Sequence, residues 1–315
     1  MKKLFLKAGD QLSKISIIGG AGTLGTAIAY QLSNHQNIDE ICLIDKNRNL
    51  LLNHVMDFQN AFPAKKIYEG TYNDLKRSDI IIITAGIPNR NDITSRNVFL
   101  EGNLKLFHDL GAEIKKHAPD ALIVTASNPV DLLNYYLYRK FGFRKQQLIG
   151  FTRNDSLRFE WAIRKTMQLS ARDQVFSPVI GEHGESQVLL FSHLKINGLP
   201  IKMSMDQIGQ IKEQIQGWFI QFNQLNINRT TGWTTANGMG ELVTKLLDPT
   251  PSEFIGSAVL EGEYGVSDVS IGVPITISNE GIHGVQEWDL NVVERGFFQN
   301  SVNQVKDYMK SPVFI

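Results

Sequence analysis

The residues best suited to chemistry gather in Gly181-Glu182-His183-Gly184-Glu185-Ser186, directly after the apolar pair Val179-Ile180. Histidine has the side-chain pKa nearest neutrality, so it can give or take a proton at cell pH. The glycines on either side leave room for a ligand to approach the backbone. A histidine in a turn is more often a surface or structural residue. The stretch signals catalysis only if the chain also supplies an acid to orient the ring, a cofactor site, and cations for an anionic substrate. Asp155 and Arg158 stand three apart at the start of a predicted helix, on one face of its first turn, although an Asp there also serves as a helix cap. Arg90 and Arg96 fall in a polar, Asn-rich loop from Ile87 to Arg96. Such arginines are either simply solvated or carried by a lid that brings positive charge to a substrate.

The cofactor site reads from Ile15 to Ile18, a short β-branched run of buried-strand type, which passes into Gly19-Gly20-Ala21-Gly22-Thr23-Leu24-Gly25. Leu24, Ile28 and Leu32 then recur at the spacing of an amphipathic helix. A strand, a glycine turn and a helix N-terminus together bind dinucleotide phosphates. Gly19 allows the tight turn, Gly22 the close approach of the pyrophosphate, and Gly25 the packing of helix on strand. Asp45 ends the next strand, Glu40 to Ile44, about 20 residues on, where a carboxylate takes the adenosine ribose hydroxyls and repels the extra phosphate of NADP. The cofactor expected is therefore NAD, the bland reading of Asp45 being a helix cap.

The elements that must position these groups continue the alternation. Asp79 to Thr84 reads as a strand closed by Ala85-Gly86, and Ala121 to Thr125 as one closed by Ala126-Ser127-Asn128-Pro129. Leu100, Leu104, Phe107 and Ile114 stripe a long helix between them. Strands alternating with helices predict an α/β fold with a doubly wound parallel sheet, whose ligands bind beyond the carboxyl ends of its strands. That rule marks Gly19 to Gly22, Asp45, Ala85 to Gly86 and Asn128 as site-lining. Past Gly150 the pattern changes. A helix runs to about Met167, and the stripe Ile208, Ile211, Ile215, Phe219 and Phe222 reads as core rather than as a ligand box. Gly256 to Leu260, Val266 to Ile271 and Pro274 to Ser278 read as a small antiparallel sheet, and a helix closes the chain. The expected division is a dinucleotide-binding Rossmann domain, 1–150, and a mixed α+β substrate and catalytic domain, 151–315.

Composition narrows the classes. With 315 residues, 42% apolar and 20% charged, the chain can bury a large core. A formal net charge of +0 gives no reason to expect nucleic acid or an anionic membrane as partner. One cysteine, Cys42, makes no internal disulfide, which fits a cytoplasmic setting. No paired Cys/His spacing of the zinc kind occurs, so no metal is expected. The basic start before Leu4 to Leu6 has too short an apolar run for a signal peptide, and no stretch approaches the ~20 apolar residues of a membrane span.

In order and spacing, the glycine turn 19–25, Asp45, Thr84-Ala85-Gly86, Ser127 to Asp131, Asp155-Ser156-Leu157-Arg158, Gly181 to Ser186 and Ile271-Gly272-Val273-Pro274 make the chain resemble the lactate and malate dehydrogenases over almost its whole length. The GxxGxxG spacing resembles malate more than most lactate dehydrogenases. The resemblance implies NAD-dependent oxidation of an L-2-hydroxy acid by a homodimer or homotetramer. His183 would be the proton donor, Asp155 its orienting acid, and Arg158 the fork that holds the substrate carboxylate. Arg96 would polarise the ketone, and Asn128 would bond its oxygen. Thr23, Leu24 and Asn103 would join the cofactor contacts, and Thr231 the substrate pocket. Malate enzymes of this family carry a further lid arginine for the second carboxylate. Counted back from Arg96 that position is Arg90; counted forward from Gly86 it is Asn89, because this loop has one residue more. Lactate or another L-2-hydroxy acid is the alternative substrate, and a non-catalytic NAD-binding protein the remote one. Thr152-Arg153-Asn154 departs from the family, which is mostly apolar there; Arg153 would contact an anion or point to solvent.

Overall fold

The computed structural model of the chain describes residues 13–87, 96–227, 232–310 and 314, the side chains of 96–99 and 223 excepted. The first half alternates β1 Ser13–Ile18, α1 Thr23–Ser33, β2 Ile38–Ile44, α2 Arg48–Ala61, β3 Lys66–Glu69, β4 Ile80–Ile83, α3 Arg96–His117, β5 Leu122–Thr125, α4 Val130–Phe141 and β6 Leu148–Gly150. Its six strands pair in parallel in the order β3-β2-β1-β4-β5-β6. Strands covered by helices on both faces must be apolar on both. Ile80, Ile81, Ile82 and Ile83 of β4 accordingly have no exposed surface. The order reverses between β1 and β4. Outside their carboxyl ends, at Gly19 and Thr84-Ala85, lies the crevice in which such sheets bind ligands.

The second half runs α5 Arg153–Met167, β7 Val175–Phe176, β8 Val179–Ile180, β9 Val188–Leu189, β10 Lys195–Ile196, β11 Leu199–Pro200, α6 Met205–Gln224, α7 Gly232–Leu247, β12 Ser252–Glu261, β13 Ser267–Ser278, β14 Gly281–Val285 and α8 Val292–Met309. β12, β13 and β14 are antiparallel, as expected, but they are not a separate sheet. β12 joins β6 at Ser257 and Gly150, which makes one sheet of nine strands. Small residues permit that junction: a Cβ on Gly150 would lie 2.5 Å from Ser257 Cβ. The two expected strands around Gly272 are also one, β13. Proline lacks an N–H and usually breaks a strand. The Pro274 carbonyl, however, accepts from Gln286 N–H at 2.8 Å, just past the end of β14, where pairing stops anyway. Among the described residues no helix is long and apolar enough to cross a membrane.

Candidate functional site

His183 sits in the turn between β8 and β9, and the chain holds that turn from several sides. Gly181 has φ +90° and pairs with Gly272 on β13, where a Cβ would meet the Gly181 carbonyl oxygen at 2.7 Å. Glu182 N–H donates to Ser301 Oγ on α8 at 2.6 Å. The buried Glu182 carboxylate takes both the N–H and the hydroxyl of Ser186. The His183 N–H donates to Asp131 Oδ2 on α4 at 2.8 Å. With the backbone tied at each step, the ring has little freedom to wander.

The ring meets α5. His183 Nδ1 lies 2.6 Å from Asp155 Oδ2, and Arg158 Nη1 lies 3.4 Å from the other oxygen of the same carboxylate. Asp155 is 6% exposed, so its charge is little screened. Burial works against the imidazolium. The charge and hydrogen bond of Asp155 outweigh it, with the Asp131 charge added, and raise the His183 pKa above its ordinary value although Arg158 opposes. With Nδ1 committed to Asp155, Nε2 is the ring nitrogen available to a reactant. The arrangement is that of a general acid–base pair beside an anion-binding fork.

These groups line one cavity of about 730 Å³, together with Leu24, Asn128, Asn154, Trp218, Phe219 and Thr235. At the glycine turn that leads to Leu24, Gly19 has φ +94°, and a Cβ there would lie 2.6 Å from Ala85 N. A Cβ on Gly25 would lie 2.2 Å from the Gly19 carbonyl oxygen, so helix and turn touch backbone to backbone. At Gly22, in contrast, a Cβ would find only that oxygen, at 3.4 Å, and the space in front of the α1 N-terminus is open to a phosphate. Thr23 there is exposed. Thr84 Oγ1 bonds the carbonyls of Ile18 and Gly19, each at 3.1 Å. Asp45 Oδ2 accepts from Ala21 N–H at 3.0 Å and Oδ1 from Asn47 N–H at 2.9 Å, so the carboxylate braces the glycine turn from the end of β2. Asn103 is fully buried and bridges two strand ends, accepting from Ile87 N–H beside Gly86 at 2.8 Å and donating to the Asn128 carbonyl at 3.0 Å.

Arg96 opens α3. Arg90, Asn89 and Thr231 lie outside the described residues. Phe219 and Phe222, expected in the core, line the cavity instead, and Phe219 is 37% exposed. Trp218 and Phe219 flank the Arg158 guanidinium, with ring centres 4.5 and 4.3 Å from Cζ. A stripe of apolar residues carries no mark of a cation on the preceding helix, so sequence reasoning missed this contact. Arg153 is turned from solvent toward a carboxylate of the chain itself: its Nε pairs with Glu241 on α7 at 2.9 Å. Asn154 is buried and donates to Thr235 Oγ1 at 2.7 Å, a polar pair on the cavity wall that the departure at 152–154 could have signalled.

The profile described as lactate/malate dehydrogenase, NAD binding domain, matches residues 13–150, and that of the lactate/malate dehydrogenase alpha/beta C-terminal domain matches 152–313. The chain belongs to the lactate/malate dehydrogenase family. The lactate/malate dehydrogenases are NAD-dependent oxidoreductases of 2-hydroxy acids, and so is this chain. It is 33% identical to a malate dehydrogenase of Halobacterium salinarum over 93% of its own length and 97% of that protein's. It is 32% identical to an L-lactate dehydrogenase of Bacillus velezensis, covering 95% and 97%. Among solved structures it is similar to the malate dehydrogenase from Aeropyrum pernix, with a TM-score of 0.87 at 28% identity, covering 96% of this chain and all of that one. The backbone gap at Gly22 and the open N-terminus of α1 fit the cofactor of this lactate/malate dehydrogenase chain.

Proposed function

We propose that the chain is a malate dehydrogenase that interconverts malate and oxaloacetate with NAD. The observation that carries the chemistry is the His183–Asp155 contact of 2.6 Å with Arg158 on the same carboxylate, in one cavity with Asn128. NADH held at the glycine turn would supply the hydride for the carbonyl carbon. His183 gives the proton from Nε2 to the carbonyl oxygen, and Asp155 fixes the tautomer and stabilises the imidazolium that precedes transfer. Arg158 clamps the 2-oxo acid carboxylate by two parallel N–H bonds. Asn128 bonds the ketone oxygen, Arg96 polarises it, and Thr231 completes the pocket. Gly19, Gly22, Thr23, Leu24, Gly25, Thr84, Ala85 and Gly86 cradle the cofactor, and Asn103 holds the two loops that carry Gly86 and Asn128. Residues 1–150 serve the cofactor and 151–315 the substrate, in a cytoplasmic homodimer or homotetramer. Asp45 selects NADH. Asp45→Ser is expected to weaken the preference over NADPH in paired KM measurements, and equal use of both cofactors by the unmutated protein would remove this role.

The substrate assignment rests on Arg90 and on the malate dehydrogenases among the relatives. A second carboxylate enclosed without a partner is costly, and an arginine offsets that cost. The same arginine against the methyl group of pyruvate is itself left unpaired, so one charge favours one substrate and penalises the other. A hydrogen bond to a charged group is worth roughly 1.5–3 kcal/mol, or about 10- to 150-fold in kcat/KM. Oxaloacetate should therefore exceed pyruvate by at least about tenfold, and Arg90→Gln should narrow or reverse the ratio while Asn89→Ala changes it little. If Asn89 governs the ratio and Arg90 is silent, the L-lactate reading, which the Bacillus velezensis relative favours, takes its place.

A further inference from the structure

The Asp131 carboxylate is 3% exposed, belongs to the first turn of α4, and takes the His183 main-chain N–H at 2.8 Å. Its Oδ1 is buried and makes no hydrogen bond of ordinary geometry. An asparagine would accept the same N–H bond without the cost of a buried charge. The charge is therefore the feature to explain, and the His183 imidazolium gains from it. We infer that Asp131 is a positioning residue for the proton donor, a second buried carboxylate that holds the His183 backbone and favours the protonated ring. The inference rests on the reading of His183 as the proton donor.

Among the described residues, six charged groups surround His183. Asp155 and Arg158 face it from α5, Asp131 from α4, Glu182 and Glu185 flank it in its own turn, and Lys212 on α6 lines the same cavity. Burial pushes the Asp131 carboxyl up to about 7; the Ser257 hydroxyl, the His183 N–H and the His183 charge pull the other way, and Glu182 adds to the rise. Protonation of the ring and ionisation of Asp131 thus favour one another, as coupled sites do. Asp131 also stands three residues after Asn128 on one segment, so the group proposed to bond the ketone oxygen and the group that holds the histidine share an anchor.

The test is Asp131→Asn, which keeps the shape and an acceptor but removes the charge. The pH above which kcat/KM for NADH-dependent reduction falls should move down by roughly 0.5–1 unit. The NADH dissociation constant should stay put. A carboxyl raised from 3.8 to about 7 by folding destabilises the native state increasingly as pH rises between those values. Asp131→Asn should therefore raise Tm at pH 8, where a merely structural strut would lower it. An unmoved pH profile, with Tm unchanged or lowered, overturns the inference. Should the Asn variant not fold, Asp131→Ser is read by the same pH profile. Failure of the underlying reading looks different: His183→Asn itself would then keep its turnover.

Discussion

Replacing His183 with Asn is expected to lower turnover by about 10² to 10⁴, the usual worth of general acid–base catalysis, while NADH binds almost as before. On the proposed reading the ring meets the reacting atoms through Nε2, since Nδ1 lies on Asp155, and the phosphates sit at Gly22, which other elements build. Asparagine keeps a polar group near Asp155 but has no proton to give at neutral pH. The sign of the pH dependence follows from the raised pKa of the ring. Reduction needs the imidazolium, so kcat/KM holds at low pH and is lost as pH rises through that raised value. Oxidation needs the neutral ring and gains over the same range. Stopped-flow turnover and NADH fluorescence titration check both halves, and a variant that turns over normally removes His183 from the mechanism.

Arg158→Lys should cost about 10- to 150-fold in kcat/KM, the equivalent of roughly 1.5–3 kcal/mol for a charge-assisted hydrogen bond. The charge survives, but two things do not. A lysine cannot present two parallel N–H groups to a carboxylate, and it loses the planar contact with Trp218 and Phe219, whose rings lie 4.5 and 4.3 Å from Cζ. Loss of the fork should appear mainly as a raised KM for the 2-oxo acid. A Lys variant with unaltered KM would show that the carboxylate is held elsewhere.

Much of this was legible in residue order. β-branched runs that end in Gly19 to Gly25, Asp45, Thr84-Ala85-Gly86 and Asn128 announce parallel strands, and ligands gather beyond their carboxyl ends. Asp155 and Arg158 on one helical turn announce a shared face, and the structure puts Arg158 on the same Asp155 carboxylate that meets His183. What was not legible depends on contacts remote in sequence. The bridging of β6 to β12 turns on the absence of a side chain at Gly150 opposite Ser257. The displacement of Phe219 from core to cavity turns on Arg158, 61 residues earlier. The grip of Asp131 on His183 spans 52 residues, and nothing near either one hints at it.

The central claim is that this cavity reduces a 2-oxo acid with NADH and prefers one with a second carboxylate. The most direct measurement is the loss of NADH absorbance with the purified chain and a panel of oxaloacetate, pyruvate and bulkier 2-oxo acids at neutral pH. The account predicts turnover of oxaloacetate, with kcat/KM at least about tenfold above pyruvate. Preference for pyruvate or a bulkier 2-oxo acid would contradict the substrate assignment, and no NADH oxidation with any member of the panel would contradict the catalytic site itself.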